Sequence, residues 1–447
     1  MLRRQLSTLA PTIRHLLTQP PPPTEPVTVN GWIRSIRKQK SVAFAVVSDG
    51  STSHGLQAIL SPEDVKGWTN GTAVRLEGHI VPSPGAGQAS ELRVERGRVV
   101  GDGPCPEDNP IQKKALSVEH LRENVHLRAR TAHMGSMMRL RDKLARGMGT
   151  WFDQQGFVSV HTPILTSNDA EGAGETFGLA GDFFGEDTKA HLTVSHQLHL
   201  EAMAVGALGR VYSLSPCFRA ERSQTARHLA EFWMLEAEWA FVNDVEDVCS
   251  VVEGLVRGVV DPLKDDPDVS LLRVGSGLPA ELDLGKNWAR MTYTEAVDAL
   301  QKSAVKFEFT PTWGASLQSE HEKWLSEVYV GRPVFVTHYP RSLKPFYMRA
   351  DDADPRTVRC FDLLVPRLGE LVGGSVREER EAILRANMKE HGLDEEAYRW
   401  YLELRRWGGV EHAGFGMGFE RLLGWLSGVD NVRECVPFPR WAGRMLL

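Results

Sequence analysis

TVSHQLHLEAMAVGALGRVYSLSPCFRAERSQTARHLAEFWMLEAEWAF, residues 193–241, holds two strand-like runs, 212–221 and 231–241, joined by the polar loop RSQTARH. Aromatic and apolar residues on either side of a short polar loop predict a long antiparallel hairpin. Strand side chains alternate between faces, so Arg219 and Glu221 share one face of the first arm, and Glu236 and Glu238 share one face of the return arm. A solvated strand also alternates its charges, so each pair taken singly is compatible with a surface.

Two later segments carry charge among apolar residues in the same way. In RCFDLLVPRLGELVGGSVREER, 359–380, Asp362 and Glu370 sit in a mostly apolar setting. Burying them is costly without a cation or a hydrogen-bond network. Magnesium held with nucleotide phosphates suits such a pair, because that ion takes one or two carboxylates and lets phosphates fill its other positions. In GFGMGFERLLGWLSGVDNVRECVPFPR, 414–440, glycines at 414, 416 and 418 allow close backbone packing. FERLLGWL then starts a helix with Arg421 in its opening turn. The turn is neither GxGxxG nor a P-loop.

The chain has 447 residues, 42% hydrophobic and 25% charged, which calls for two or three domains and excludes a disordered polymer. No apolar run approaches the eighteen or so residues of a membrane span. With 52 Lys plus Arg against 58 Asp plus Glu, the net charge is −6, so a nucleic acid must meet a local basic patch. Five scattered cysteines without a CxxC pair encode neither a zinc site nor a disulfide framework.

Residues 27–103 alternate in short runs (VTVNGWI, VAFAVVSDGS, LQAIL, TAVRLEGHIV, ELRVERGRVV), which predict a small closed barrel. The Pro-rich GDGPCPEDNP, 101–110, opens a hinge over 104–125. A second domain spans 126–447, where Met134, Met137, Leu140, Leu144 and Met148 repeat with helical period. Residues 245–284 read as a helical insertion. The first 24 residues hold three arginines and no acid. Coiled as a helix, they put Leu6, Leu9, Ile13 and Leu16 on one side and Arg3, Arg4 and Arg14 on the other, the pattern of a mitochondrial transit peptide. The expectation is a leader outside the fold and delivery to the mitochondrial matrix, with a disordered tail and a cytoplasmic protein as the alternative.

Taken together, GFVSVHTPIL (156–165), FRAE (218–221) and GFGMGFERLL (414–423) resemble motifs 1, 2 and 3 of the class II aminoacyl-tRNA synthetases, in order and spacing. The resemblance is strongest to the asparaginyl enzymes, through TSNDAEGAGETF (166–177), RHLAEFWMLEAE (227–238), LQSEHEKWL (317–325), PVFVTHYPRSLKPFYMR (333–349) and GGSVREER (373–380). It implies an α+β protein: an OB-fold barrel that reads the anticodon, then a catalytic domain with an antiparallel sheet flanked by helices. It also implies ATP and Mg2+, with asparagine and tRNA(Asn) as partners, and a homodimer through motif 1 around Pro163.

By that resemblance Arg219 would hold the α-phosphate of ATP and Arg421 the γ-phosphate, with Glu370 completing the catalytic set. Arg227 and His228 would add phosphate contacts, Glu221 would accept from the adenine amino group, and Phe232 would stack on the base. The alternative for Phe232 is ordinary sheet packing. Asp362 and Glu370 would carry the metal. Glu171 and Gln197 would bind the amino acid's α-amino group, Glu236 would accept from the side-chain amide, and Arg377 would donate to its oxygen. In related aspartyl enzymes a QLYK lysine meets the substrate carboxylate; here the run is Gln197, Leu198, His199, Leu200. In the barrel, Phe44 and Gln57 match the base-stacking and base-reading positions, and Arg34, with Arg37, Lys38 and Lys40, supplies the basic patch. Phe44 has a barrel-core alternative. Three positions depart from the asparaginyl pattern: His196 replaces a glycine, Ala237 a proline, and Arg367 a glycine. The rival activities are an aspartyl or relaxed Asx enzyme and a non-catalytic RNA-binding descendant.

Overall fold

Alternation over 27–99 becomes five strands, β1 (Val27–Lys38), β2 (Ala43–Ser48), β3 (Leu56–Leu60), β4 (Ala73–Pro82) and β5 (Ser90–Val99), closed in the order β1-β2-β3-β5-β4. Inward positions hold Ala43, Ala45, Val47, Leu56 and Ala58, all at most 1% exposed, and the small alanines fit the narrow interior. The computed structural model describes residues 9–85, 87–112, 114, 116–168, 175–185, 189–274, 276, 284 and 287–447. It divides into two compact units, Met1–Arg139 and Leu140–Leu447.

Part of the expected leader is built into the barrel. Ile13–Thr18 is a helix capped by Thr12, and the Ile13 N–H donates to Asp49 Oδ2 at 2.7 Å. Ile13 and Leu16, 1% and 3% exposed, belong to the barrel core, while Arg14 faces out. Two of the four apolar residues, Ile13 and Leu16, thus have a partner in this fold while Leu9 is exposed, so the expectation that residues 1–24 lie wholly outside is corrected. Residues 1–8, with Arg3, Arg4 and Leu6, fall outside the described set.

The second unit is organised by β6 (Val158–Ser159), β7 (Leu165–Thr166), β8 (His191–Leu192), β9 (Arg210–Phe218), β10 (Glu231–Ala240), β11 (Ala289–Thr292), β12 (Val334–Thr337), β13 (Cys360–Val365), β14 (Gly369–Val376) and β15 (His412–Gly418). Eight of them form one sheet in the order β11-β12-β13-β14-β15-β10-β9-β6, and β7 pairs with β8. The sheet is antiparallel except at its edges, where β11 runs parallel to β12 and β6 to β9. The expected hairpin is β9–β10, paired from Arg210↔Trp239 to Phe218↔Glu231. Arg219 and Glu221 therefore lie just past the paired strand.

Helix Val245–Val260, read from sequence as the start of an insertion, buries Val248, Cys249, Val252 and Val256 completely and packs against β13, β14 and β15. Its apolar stripe thus covers the sheet. Helix Phe419–Ser427 follows β15 directly, and Glu420 ties it to β10 by accepting from the Trp233 N–H at 3.0 Å.

In the β13–β14 turn, Arg367 has φ +70°, a left-handed conformation suited to the glycine the family pattern has there. Arg367→Gly is expected to raise stability by about 0.5–1 kcal/mol, read as a higher denaturant midpoint at unchanged slope. A lower midpoint would mean that the exposed Arg367–Asp430 pair, 2.8 Å apart, outweighs the backbone strain.

Candidate active site

A cavity of about 390 Å³ is lined by residues of β10, β13, β14 and β15 and of the segments that follow β9 and β12. Glycine makes the room. Gly414, Gly416 and Gly418 of β15 sit opposite Glu238, Glu236 and Met234 of β10. A Cβ on Gly414 would overlap the Glu238 carboxyl, and one on Gly416 would come within 3.3 Å of the Met234 methyl. Close packing read from these glycines is here the condition for a hollow.

At one end the cavity is cationic. Arg219 and Arg421 both line it. The Arg219 guanidinium lies 5.4 Å over the Phe232 ring, and Arg421 Nη1 donates to the Glu370 carbonyl at 3.1 Å and lies 3.4 Å from Glu370 Oε2. Burial alone would raise the Glu370 carboxyl, but Arg421, Lys344 and Arg219 hold it below its ordinary value. His228 bridges to Glu221 at 3.2 Å; burial, with Arg421, Arg227 and Arg219 nearby, pushes its imidazole down. Phe232 also packs against Leu229, Val432 and Val436, so its packing and cavity-lining roles coexist.

Asp362 and Glu370 flank a bare backbone: a Cβ on Gly373 would lie 3.3 Å from Glu370 Oε1 and 3.5 Å from Asp362 Oδ1. Two hard carboxylates above an open glycine suit a Mg2+ that takes its other ligands from phosphate and water. Two neighbours were not anticipated. Lys344 Nζ donates to both Asp362 oxygens, at 2.9 and 2.8 Å. Glu322 accepts from the Glu370 N–H at 3.3 Å and lies 3.7 Å from Arg227. Burial, then Glu370 and Asp362, push the Glu322 carboxyl up to about 7.

The other end is a buried polar nest. Glu236, 2% exposed, accepts from Ser195 Oγ and, at 2.9 Å, from the His196 N–H. Gln197 opens the helix Gln197–Met203 and lines the cavity. Arg377 lines it too, but its fork is committed: Nε and Nη2 donate to Glu238 and Nη1 to Ser375 Oγ at 2.7 Å. What Arg377 retains for a ligand is its remaining Nη hydrogens. Glu238 was legible only as Glu236's same-face neighbour. Burial, with Glu201 and Glu236 close by, pushes its carboxyl up, and Arg377 opposes that push. Glu171 lies outside the described residues.

His196 does not crowd the cavity. Its Nδ1 is 2.6 Å from Thr162 Oγ1 and its Nε2 3.0 Å from the Pro216 carbonyl. His196, Cys217 and Glu236 bring potential ligand atoms within 4.8 Å of one another, but both imidazole nitrogens are thus already engaged in packing.

In the barrel unit, Phe44 lies on the outer side of its strand between buried Ala43 and Ala45, and Gln57 on the outer side of its own between buried Leu56 and Ala58, so Phe44 is not a core residue. Arg37, the cross-strand partner of Phe44, stands 5.2 Å over its ring, and Gln57 donates to Glu91 at 3.1 Å. Arg34 turns elsewhere: its guanidinium donates to the Arg130 carbonyl in a groove it shares with Lys114 and Arg139. The basic group beside Phe44 is Arg37 rather than Arg34.

A model of class II tRNA synthetases (D, K and N) matches residues 117–442, and one of the OB-fold nucleic acid binding domain matches 27–100. The chain is 44% identical over 440 residues to the asparagine–tRNA ligase of Microcystis aeruginosa, covering 94% of this chain and 96% of that one. It is also 44% identical over 440 residues to an asparaginyl-tRNA synthetase of Mus musculus, covering 95% and 91%. Among solved structures, the Pyrococcus horikoshii asparaginyl-tRNA synthetase complexed with asparaginyl-adenylate superposes with a TM-score of 0.84 at 33% identity, covering 98% of this chain and 100% of that one. The Entamoeba histolytica enzyme with the same adenylate gives 0.84 at 28% identity, covering 96% and 98%.

Proposed function

Since this chain belongs to the class II asparaginyl-tRNA synthetases, we propose that its sheet cavity holds ATP at the cationic end and asparagine in the polar nest. The chain is an asparagine–tRNA ligase and its reaction is ATP-dependent. An oxygen of the asparagine carboxylate bonds to the α-phosphorus and the bridging oxygen to the β-phosphorus leaves with pyrophosphate; a hydroxyl of the terminal ribose of tRNA then attacks the acyl carbon, and the bond to the adenylate phosphate breaks to release AMP. Both reacting groups are anionic, so the protein's work is positioning and charge neutralisation. The observation that carries the reading is the placement of Arg219 and Arg421 on one cavity that Gln197, Glu236 and Arg377 also line.

Arg219 takes the α-phosphate and Arg421 the γ-phosphate, each as a planar fork. Arg227 and His228 lie along the triphosphate, Glu221 meets the adenine amino group and Phe232 the ring. Asp362 and Glu370 would hold Mg2+, which when bound neutralises phosphate oxygens. Lys344, already on Asp362, keeps that carboxylate oriented. Glu236 retains lone pairs on both oxygens for the substrate's amide N–H. A non-hydrolysable asparaginyl-adenylate analogue, which lacks the γ-phosphate, tests the division. Arg421→Ala is expected to raise the KM for ATP on the order of a hundredfold and leave the analogue's affinity unchanged. Equal weakening of both would remove Arg421 from the γ-phosphate.

The barrel's outer face, with Phe44, Gln57 and Arg37, is the surface we assign to the anticodon, and Arg34 to the backbone nearby. Phe44→Ala is expected to cost about 1–3 kcal/mol in tRNA affinity. It should lower charging and spare pyrophosphate exchange; loss of both would indicate misfolding instead.

A homodimer is part of the proposal, supported by the apolar run around Pro163, where Val158, Ile164 and Leu165 are 45%, 39% and 44% exposed. Light scattering tests it, and a monomer at micromolar concentration would sink it. Residence in the mitochondrial matrix is supported by the acid-free first 24 residues. Any cut must precede Ile13, because Ile13 and Leu16 are barrel core. Fusing residues 1–24 to a fluorescent protein decides this, a cytosolic signal counting against it.

A further inference from the structure

The helix Gln197–Met203 carries an acidic residue one turn on from Gln197, and it is sealed from solvent. Glu201 is 0% exposed. Its Oε1 accepts from Gln197 Nε2 at 2.9 Å, and its Oε2 faces three groups: Tyr401 Oη at 2.6 Å, Arg405 Nη2 at 2.8 Å and His412 Nε2 at 3.0 Å. Arg405 is anchored in turn through Nε to the Glu378 carbonyl at 3.0 Å, and His412 through Nδ1 to the Val410 carbonyl at 2.8 Å.

Stability alone is a weak reason for such a cluster, because a buried ion pair roughly balances its desolvation and an apolar pair of similar volume often does better. Orientation is a stronger one. An amide has a donor end and an acceptor end, and nothing in Gln197 itself chooses between them. An ionised carboxylate only accepts, so Gln197 can meet Glu201 only through its NH2, and reversing the amide would set two oxygens against each other. Burial would raise the Glu201 carboxyl, but Arg405 and His412 hold it far below its ordinary value, so it stays an acceptor. Among the described residues no protein donor reaches Gln197 Oε1, although the residue lines the cavity.

We propose that Glu201 is a positioning residue that fixes the Gln197 amide with its oxygen available to the α-ammonium of asparagine, so that part of amino-acid affinity depends on a carboxylate the substrate never touches. The inference rests on the assignment of Gln197 to the α-amino group.

The test compares asparagine with its analogue lacking the α-amino group, used as a competitive inhibitor, in the full-length enzyme. Glu201→Gln is expected to raise the KM for asparagine on the order of tenfold, with kcat and the KM for ATP nearly unchanged and the inhibitor's affinity unaltered. A merely structural defect would weaken the inhibitor equally, and that result, or an unchanged KM for asparagine, overturns the proposal. Gln197→Met separates the two claims. If it leaves the KM for asparagine unchanged, the assignment of Gln197 itself fails. If it raises that KM and adding Glu201→Gln costs as much again, Glu201 does not act through Gln197. Should Glu201→Gln not fold, Glu201→Met combined with Arg405→Met removes the buried pair together and is expected to give the same profile.

Discussion

Arg219→Ala is expected to abolish asparagine-dependent pyrophosphate exchange, by on the order of a thousandfold or more, while the protein still melts cooperatively. The size follows from where charge appears. As the carboxylate oxygen approaches the α-phosphorus, negative charge gathers on the oxygens around it, and a guanidinium in a partly enclosed cavity acts on it with little competing water. Arg219 follows the last paired residue of β9, and its N–H donates to the Ala230 carbonyl at 3.0 Å, so its backbone is fixed before any ligand arrives. Arg219→Lys should recover only a small part, since an ammonium cannot bridge two oxygens. Normal exchange in a folded Arg219→Ala protein would take the α-phosphate away from this residue. Loss of the cooperative melt would point to the ring contact with Phe232 as its main role.

The second large effect is on selectivity. Asparagine and aspartate have nearly one shape and differ by a charge and a donor. A Glu236 carboxylate placed ~4 Å from the substrate's side-chain terminus, as proposed, would repel aspartate by about 4 kcal/mol at an effective dielectric near 20, on the order of a thousandfold. Ser195 and the His196 N–H hold both oxygens of Glu236, so the side chain cannot swing aside to relieve that repulsion. Glu236→Gln is therefore expected to lower the preference for asparagine over aspartate by on the order of a hundredfold, measured as the ratio of kcat/KM values in exchange. Activity with asparagine should fall much less. Unchanged discrimination would shift the sorting to the neighbouring Glu238–Arg377 pair.

The groups that could be named from sequence are those whose residue type and strand position already constrain their chemistry. Arg219, Glu236, Asp362 and Glu370 are charges on or just beyond strands among apolar neighbours, and Arg421 follows a glycine run into a helix. What escaped depends on contacts between distant segments. Lys344 reaches Asp362 across 18 positions, Glu322 reaches Glu370 across 48, and Arg405 reaches Glu201 across 204. Alternation showed Glu238 beside Glu236 but could not show that Arg377 would fork onto it. In the barrel, the register of β1 against β2 shifts between Ile33 and Ser35. Arg34 sits at that irregularity, three positions from Arg37, and its guanidinium meets the Arg130 carbonyl instead of joining Arg37 beside Phe44. The N-terminal helix teaches a related lesson: an apolar stripe announces that something covers it, not what. Ile13 and Leu16 are covered by the barrel.

The most direct trial of the account is amino-acid-dependent exchange of pyrophosphate into ATP, run on the full-length protein with asparagine and with aspartate in parallel. Strong exchange with asparagine and none above background with aspartate is the predicted result. Comparable rates with the two amino acids would contradict the assignment of Glu236 and its nest as the element that tells an amide from an acid.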